Sequence, residues 1–264
     1  MVLLIGLVGC PNAPAVCEGT FSCDTRACWI RMCGGDFVMG GTGEDELPRH
    51  PVHLATFELM QTEASVASYR TCVSAGACPA VNSTVACVWD NDLVAQTCLS
   101  WDMASAYCTW MDARLPSESE WEFAATNRGR TQLYPWGDAE PTCDLAVLGC
   151  GAPCDGRTRR PCSRPAGTSA QGVCDLAGNA IEWVADGYHP TYAGAPDDGS
   201  AWETPPFNWR VMRGGGIGSC AEPKSANRVY HEGEFTYGGA GVRCARDTSS
   251  RAAERTTPTT EGPR

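Results

Sequence analysis

A chain of 264 residues with 43% hydrophobic content is long enough to form one domain with a full core, and no internal repeat divides it. The formal net charge of −11 argues against a nucleic-acid-binding surface, which needs Lys and Arg to neutralise phosphate. Seventeen cysteines point to an oxidising compartment, because a reducing cytosol would leave them as reactive thiols without structural value.

The chain opens with an apolar run, Val2 to Val8, that leads into Leu7-Val8-Gly9-Cys10, the order of a bacterial lipobox. On that reading residues 1–10 are a lipoprotein signal peptide and Cys10 is the acylated residue. The other reading is a first buried strand, and no Lys or Arg precedes the run to make a basic n-region. Setting Cys10 aside leaves an even number of cysteines, as a fully paired set requires. No other stretch approaches the ~20 apolar residues of a spanning helix, so membrane contact is expected through the N-terminal lipid only, in a bacterial envelope, periplasmic or surface-exposed.

Residues 11–35 carry Cys17, Cys23, Cys28 and Cys33 among Gly, Asp and Thr, and read as a small stapled extension. Val66, Tyr69 and Val73 then recur at helical steps up to Gly76, which predicts a short amphipathic helix with a glycine terminator. A second helix is capped by Ser100 and carries Trp101, Ala104, Cys108 and Met111 as one apolar stripe. The third follows Pro116, with Ser117 and Glu120 as a capping box and Trp121, Ala124 and Ala125 toward the core. Beyond Arg128 the chain is rich in Gly, Pro and Cys, which predicts long loops around a modest sheet, ordered by disulfides or metal. Residues 247–264 have almost nothing apolar and read as a disordered tail.

Five motifs stand in fixed order: RLPSESEWEFAA (Arg114 to Ala125), YPWG (Tyr134 to Gly137), GNAIEW (Gly178 to Trp183), RVMRGGG (Arg210 to Gly216) and GVRCAR (Gly241 to Arg246). With Phe37, Met39, Gly40, Glu46, Pro48, His50, Val52, Phe57 and Glu63 upstream, they resemble the formylglycine-generating enzyme family over residues 36–246. The resemblance implies an irregular, loop-rich, disulfide-stapled α+β fold, distantly C-type-lectin-like. It also implies the family's chemistry, oxidation of a sulfatase cysteine to formylglycine by a pair of thiols that hold copper.

At those thiols the sequence departs from the family. The family's cysteines stand three and eight residues after the serine of R-x-x-x-G-G-S, and the same count from Gly216 falls on Ser219 and Lys224. The serine is Gly216, and the tryptophan of G-N-x-W-E-W is Ile181. Cys220 sits one position late, and no cysteine follows until Cys244. One thiol cannot reproduce a copper(I) site built on two soft thiolates. In an oxidising compartment Cys220 is expected to be half of a disulfide; an unpaired Cys220 would need a borrowed neighbour such as Cys174.

By resemblance, Cys108 and Cys244 match a structural disulfide of the family. Cys72 and Cys78 flank a plausible turn and make a second, local pair. Cys143, Cys150, Cys154 and Cys162 could be disulfides or a zinc site, but their spacing lacks two close C-x2-C pairs, which favours disulfides. Asp175 and Glu182 flank Gly178 and Ala180, so a bent loop can offer two carboxylates and two carbonyls, the hard oxygens that calcium takes. These four positions match a calcium site of the family. His50 and His53 complete no metal set, Ser219 has no G-x-S-x-G elbow, and Arg157, Arg159 and Arg160 read as a solvated loop.

Retained scaffold motifs beside lost thiols give the leading expectation: an envelope lipoprotein whose domain is non-catalytic and binds an envelope protein, peptide or glycan, with structural calcium. The alternative is an active copper-dependent formylglycine-generating oxidase with Cys220 as its remaining thiol. A third class, a purely structural surface protein, would have no pocket.

Overall fold

The computed structural model describes residues 21–81, 87, 89, 91–149, 154, 156–204, 208–219 and 221–248. Cys10 and the lipobox, Cys17, Cys150, Cys220 and the tail beyond 248 lie outside the described residues. The strands are β1 (Phe21–Cys23), β2 (Cys28–Met32), β3 (Gly35–Met39), β4 (His50–Leu54), β5 (Phe57–Met60), β6 (Ile181–Gly187), β7 (Trp209–Arg213), β8 (Arg228–Glu232), β9 (Ala240–Gly241) and β10 (Ala245–Asp247). The helices are α1 (Val66–Ser74), α2 (Trp101–Trp110) and α3 (Glu118–Ala125). Between 126 and 180 no α-helix or strand forms among the described residues, the loop-rich centre that the Gly, Pro and Cys content predicts.

Strands order as β1-β2-β5-β10 in one sheet, β3-β4 in a second and β8-β7-β6-β9 in a third. All pairs are antiparallel except β6 with β9. β2 lies between β1 and β5, so residues 28–32 belong to the domain's own sheet, where the sequence suggested a separate extension over 11–35. Adjacent residues of β6 and β7 point to opposite faces, as strand geometry requires. Trp183 and Met212 pack with Trp29, Tyr69, Tyr107 and Leu99, while Val184 and Val211 pack with Phe37, Phe57, Trp121 and Phe123. The third sheet thus separates two halves of the core.

Each helix begins where a serine takes up a free backbone N–H. Ser65 accepts from Ser68 N–H, Ser100 from Met103 N–H, and Ser117 from Glu120 N–H while the Glu120 carboxylate accepts from Ser117 N–H. In α3 Trp121, Ala124 and Ala125 face the core as expected, and the rest of the helix is buried too, including Glu118, Glu120 and Glu122. Arginines make this possible, since a buried carboxylate is tolerated only when paired and hydrogen-bonded. Arg114 grips Glu120 bidentately at 2.7 and 2.8 Å, Arg228 grips Glu118 at 2.7 and 3.0 Å, and Arg213 reaches Glu122 at 2.5 Å.

Six disulfides join described residues: Cys23–Cys28, Cys72–Cys78, Cys87–Cys98, Cys108–Cys244, Cys143–Cys154 and Cys162–Cys174. The Cys108–Cys244 bridge closes 136 residues and ties α2 to the segment entering β10. In the chain-entropy model a closure of that size contributes up to about 5 kcal/mol.

Asp186 on β6 ties three elements together, accepting from Glu118 N–H at 2.7 Å and Trp202 N–H at 2.8 Å. Burial, followed by the nearby Glu118 charge, pushes its carboxyl up to about 7. A carboxyl raised in the folded state holds its proton more tightly there than in the unfolded chain. Its contribution to stability is therefore full in acid and is lost as pH rises through about 7. Thermal denaturation between pH 5 and 8 should show a fall in Tm that is smaller in Asp186→Asn; an unchanged slope would contradict the assignment.

Candidate functional site

The turn after β7 carries the positions where the family's chemistry is expected. Gly214, Gly215 and Gly216 all have positive φ, at 93°, 62° and 151°. At Gly216 a Cβ would lie 2.8 Å from Ile181 N and 2.9 Å from Asn179 O, so the backbone of 179–181 occupies the space that a serine side chain would use. Ile181 is fully buried in the core with Trp183, Met212 and Val242. Ser219 is buried as well; its N–H donates to Gly216 O and its hydroxyl accepts from Ala221 N–H, which makes it part of the turn. Lys224 is half-buried and ion-paired with Glu222.

Cys220 lies outside the described residues. Cys174, the neighbour an unpaired Cys220 would have needed, is bonded to Cys162 with Cα atoms 5.2 Å apart. Every described cysteine is in a disulfide. Cys143 and Cys154 pair with each other, not around a metal.

Asp175 and Glu182 come together with a third carboxylate, Glu63, around the fully buried guanidinium of Arg243. Glu182 accepts from Arg243 Nη2 at 2.7 Å and from Nε at 3.0 and 3.1 Å, and its Oε2 also accepts from Trp121 Nε1 at 2.8 Å. Arg243 spends its other donors on the carbonyls of Met60, Gln61 and Cys174 at 3.0, 2.8 and 2.7 Å. Glu63 accepts from Ala180 N–H and Asn179 Nδ2, both at 3.1 Å, and Asp175 accepts from Cys162 N–H at 2.6 Å. Gly178 turns the loop with φ 94°, and a Cβ there would meet Val147 O at 2.6 Å.

Three carboxylates gather at Arg243, and Asp175 also feels the charge of Arg164. Burial, then the charges of Asp175 and Glu182, hold the Glu63 carboxyl well above the usual range, and burial raises Asp175 too. The surplus negative charge suits a cation, whereas the Glu182 oxygens are already engaged by Arg243 and Trp121. Among the described residues no group of three His, Cys, Asp or Glu side chains is disposed to hold a metal ion. Glu63 was legible in the sequence only as one position of a family pattern; no motif announced its place beside Asp175.

A separate cavity of about 440 Å³ opens between the loop after β3, the end of α3 and the loop carrying Lys224. Its volume falls within the range of small-molecule sites. Elsewhere, Trp209, Tyr230 and Phe235 are exposed at one end of the β7–β8 pair, with Tyr188 stacked on Tyr230 at 3.7 Å. Among the described residues no helix is long and apolar enough to cross a membrane.

Comparison with known proteins places this geometry. The chain is 37% identical over 131 residues to a hercynine oxygenase of Mycolicibacterium thermoresistibile, a match covering 45% of this chain and 28% of that protein. It therefore spans about a third or less of that relative's length. It is 26% identical to the formylglycine-generating enzyme of Streptomyces coelicolor over 85% of this chain and 92% of that one. It is 36% identical to the inactive C-alpha-formylglycine-generating enzyme 2 of Mus musculus over 35% of this chain and 32% of that protein. In fold it is similar to PvdO from Pseudomonas aeruginosa, with a TM-score of 0.75 at 24% identity, over 87% of this chain and 98% of that one. The model of the sulfatase-modifying factor enzyme 1-like domain matches residues 20–248, and the chain belongs to that family.

Proposed function

We propose that the chain is a cell-envelope lipoprotein whose sulfatase-modifying-factor-like domain is non-catalytic and serves in binding or scaffolding. The observation that carries the reading is the fate of the thiols. Where the family's oxidase has a serine and two cysteines, this chain has Gly216, Ser219 and Lys224, and Cys174 is committed to Cys162. Copper(I) held between two thiolates has no counterpart at the counted positions. The family includes a relative named as inactive beside relatives named as enzymes, so its fold is compatible with either state. The lipobox at Cys10 and the pairing of every described cysteine support an oxidising envelope location. The alternative, a formylglycine-generating oxidase, would have to use Cys220.

The test is to incubate the purified protein with copper, oxygen and a peptide carrying C-x-P-x-R, and to follow the peptide by mass spectrometry. The reading predicts no conversion of its cysteine to formylglycine; turnover would overturn it.

Calcium belongs to the same proposal as a structural cation, held by Asp175, Gly178, Ala180 and Glu182. Its support is that three carboxylates share the guanidiniums of Arg243 and Arg164, because a hard divalent ion favours oxygen ligands and offsets the buried negative charge left over. Removing calcium with a chelator should lower Tm in the parent protein, readdition should restore it, and Asp175→Asn should blunt the response. A Tm indifferent to chelator and calcium would contradict a resident ion.

A further inference from the structure

The 440 Å³ cavity has an imbalance in its donors and acceptors. Arg49, Arg130 and Lys224 line it together with Glu46, Glu122 and Asp138. The carboxylates are used by the protein itself. Glu122 accepts from Gly40 N–H at 2.7 Å and from Arg213 at 2.5 Å, Glu46 accepts from the N–H groups of Thr42 and Gly43 at 2.8 Å, and Asp138 accepts from Leu133 N–H at 2.8 Å. The cations are not used in the same way. Lys224 has Glu222, but the Arg49 and Arg130 side chains make no hydrogen bond or ion pair with any described residue, and both are exposed. Two guanidiniums without a described partner therefore stand on the wall of one cavity, beside carboxylates whose oxygens already accept hydrogen bonds from the protein.

The same cavity has an apolar side. Val38 and Leu133 line it while remaining 49% and 45% exposed. Apolar lining with a few polar groups that fix orientation is the usual composition of a small-molecule site, and a guanidinium fork matches the oxygens of a carboxylate or phosphate.

We infer that this cavity binds a small oxyanion carried on an apolar body, with Arg49 and Arg130 taking the oxyanion and Val38 and Leu133 the apolar part. The inference rests on the binding reading of the domain and gives that reading a ligand class. Lys224, at the counted position of the family's second thiol, lines the same cavity with its charge paired to Glu222.

The experiment is a titration of the purified full chain, followed by amide NMR and calorimetry, with three probes of similar size: benzoate, phenyl phosphate and the neutral benzyl alcohol. The expected result is saturable binding of at least one anion, with benzyl alcohol bound much more weakly. The preferred anion distinguishes a carboxylate from a phosphate ligand. Arg49→Ser and Arg130→Ser should each weaken binding about tenfold, the usual scale for losing a charged hydrogen bond. Both side chains are exposed, so these variants should retain the parent Tm, and Arg70→Ser, outside the cavity, should bind as the parent does. No saturable binding of either anion, or equal binding in the Arg49→Ser, Arg130→Ser double variant, overturns the inference. Failure here together with no peptide turnover removes the ligand class and leaves the non-catalytic reading; turnover removes that reading whatever the titration gives.

Discussion

The interaction on which the rest of the structure depends is the buried contact of Arg243 with Glu182. Its guanidinium sends bonds to a carboxylate on β6 and to carbonyls at Met60, Gln61 and Cys174. It thereby fastens the end of β5, the loop stapled by Cys162–Cys174, and the segment that Cys244 bonds to α2. A loop-rich domain has too few ladder hydrogen bonds to satisfy its buried carbonyls, so a side chain with five donors fills that need. Breaking such a pair from one side costs about 3–5 kcal/mol, because the partner charge is left buried. The same logic recurs at α3, where Arg114, Arg213 and Arg228 make a fully buried helix with three glutamates possible.

This explains why the motifs report the fold. Glu118, Glu120, Trp121 and Glu122 of the first motif bond to Arg228, Arg114, Glu182 and Arg213, so several of the recognisable residues bond to one another. The positions that would carry oxidation lie in a turn whose glycine is pressed against the backbone of 179–181. Retaining the first set does not require retaining the second.

The helices were legible because caps and apolar stripes are local: Ser100 and the Ser117–Glu120 box act within one turn. The place of β2 inside a sheet was not, since it depends on pairing with β5 some thirty residues on. Pairings such as Cys87–Cys98 and Cys162–Cys174 could not be read from spacing, because many connectivities fit one list of cysteines. The cavity was hidden for a similar reason. Arg49, Arg130 and Lys224 come from three loops far apart in sequence, and none belongs to a motif.

The central claim is that this domain kept its family's scaffold while its thiols passed from chemistry to structure. Cys220 decides it. Proteolysis of the purified protein without reductant, after alkylation of any free thiol, followed by peptide mapping, would give its state. The account predicts Cys220 in a disulfide-linked peptide with no alkylated form. Recovery of Cys220 quantitatively alkylated, beside a second free thiol, would contradict it.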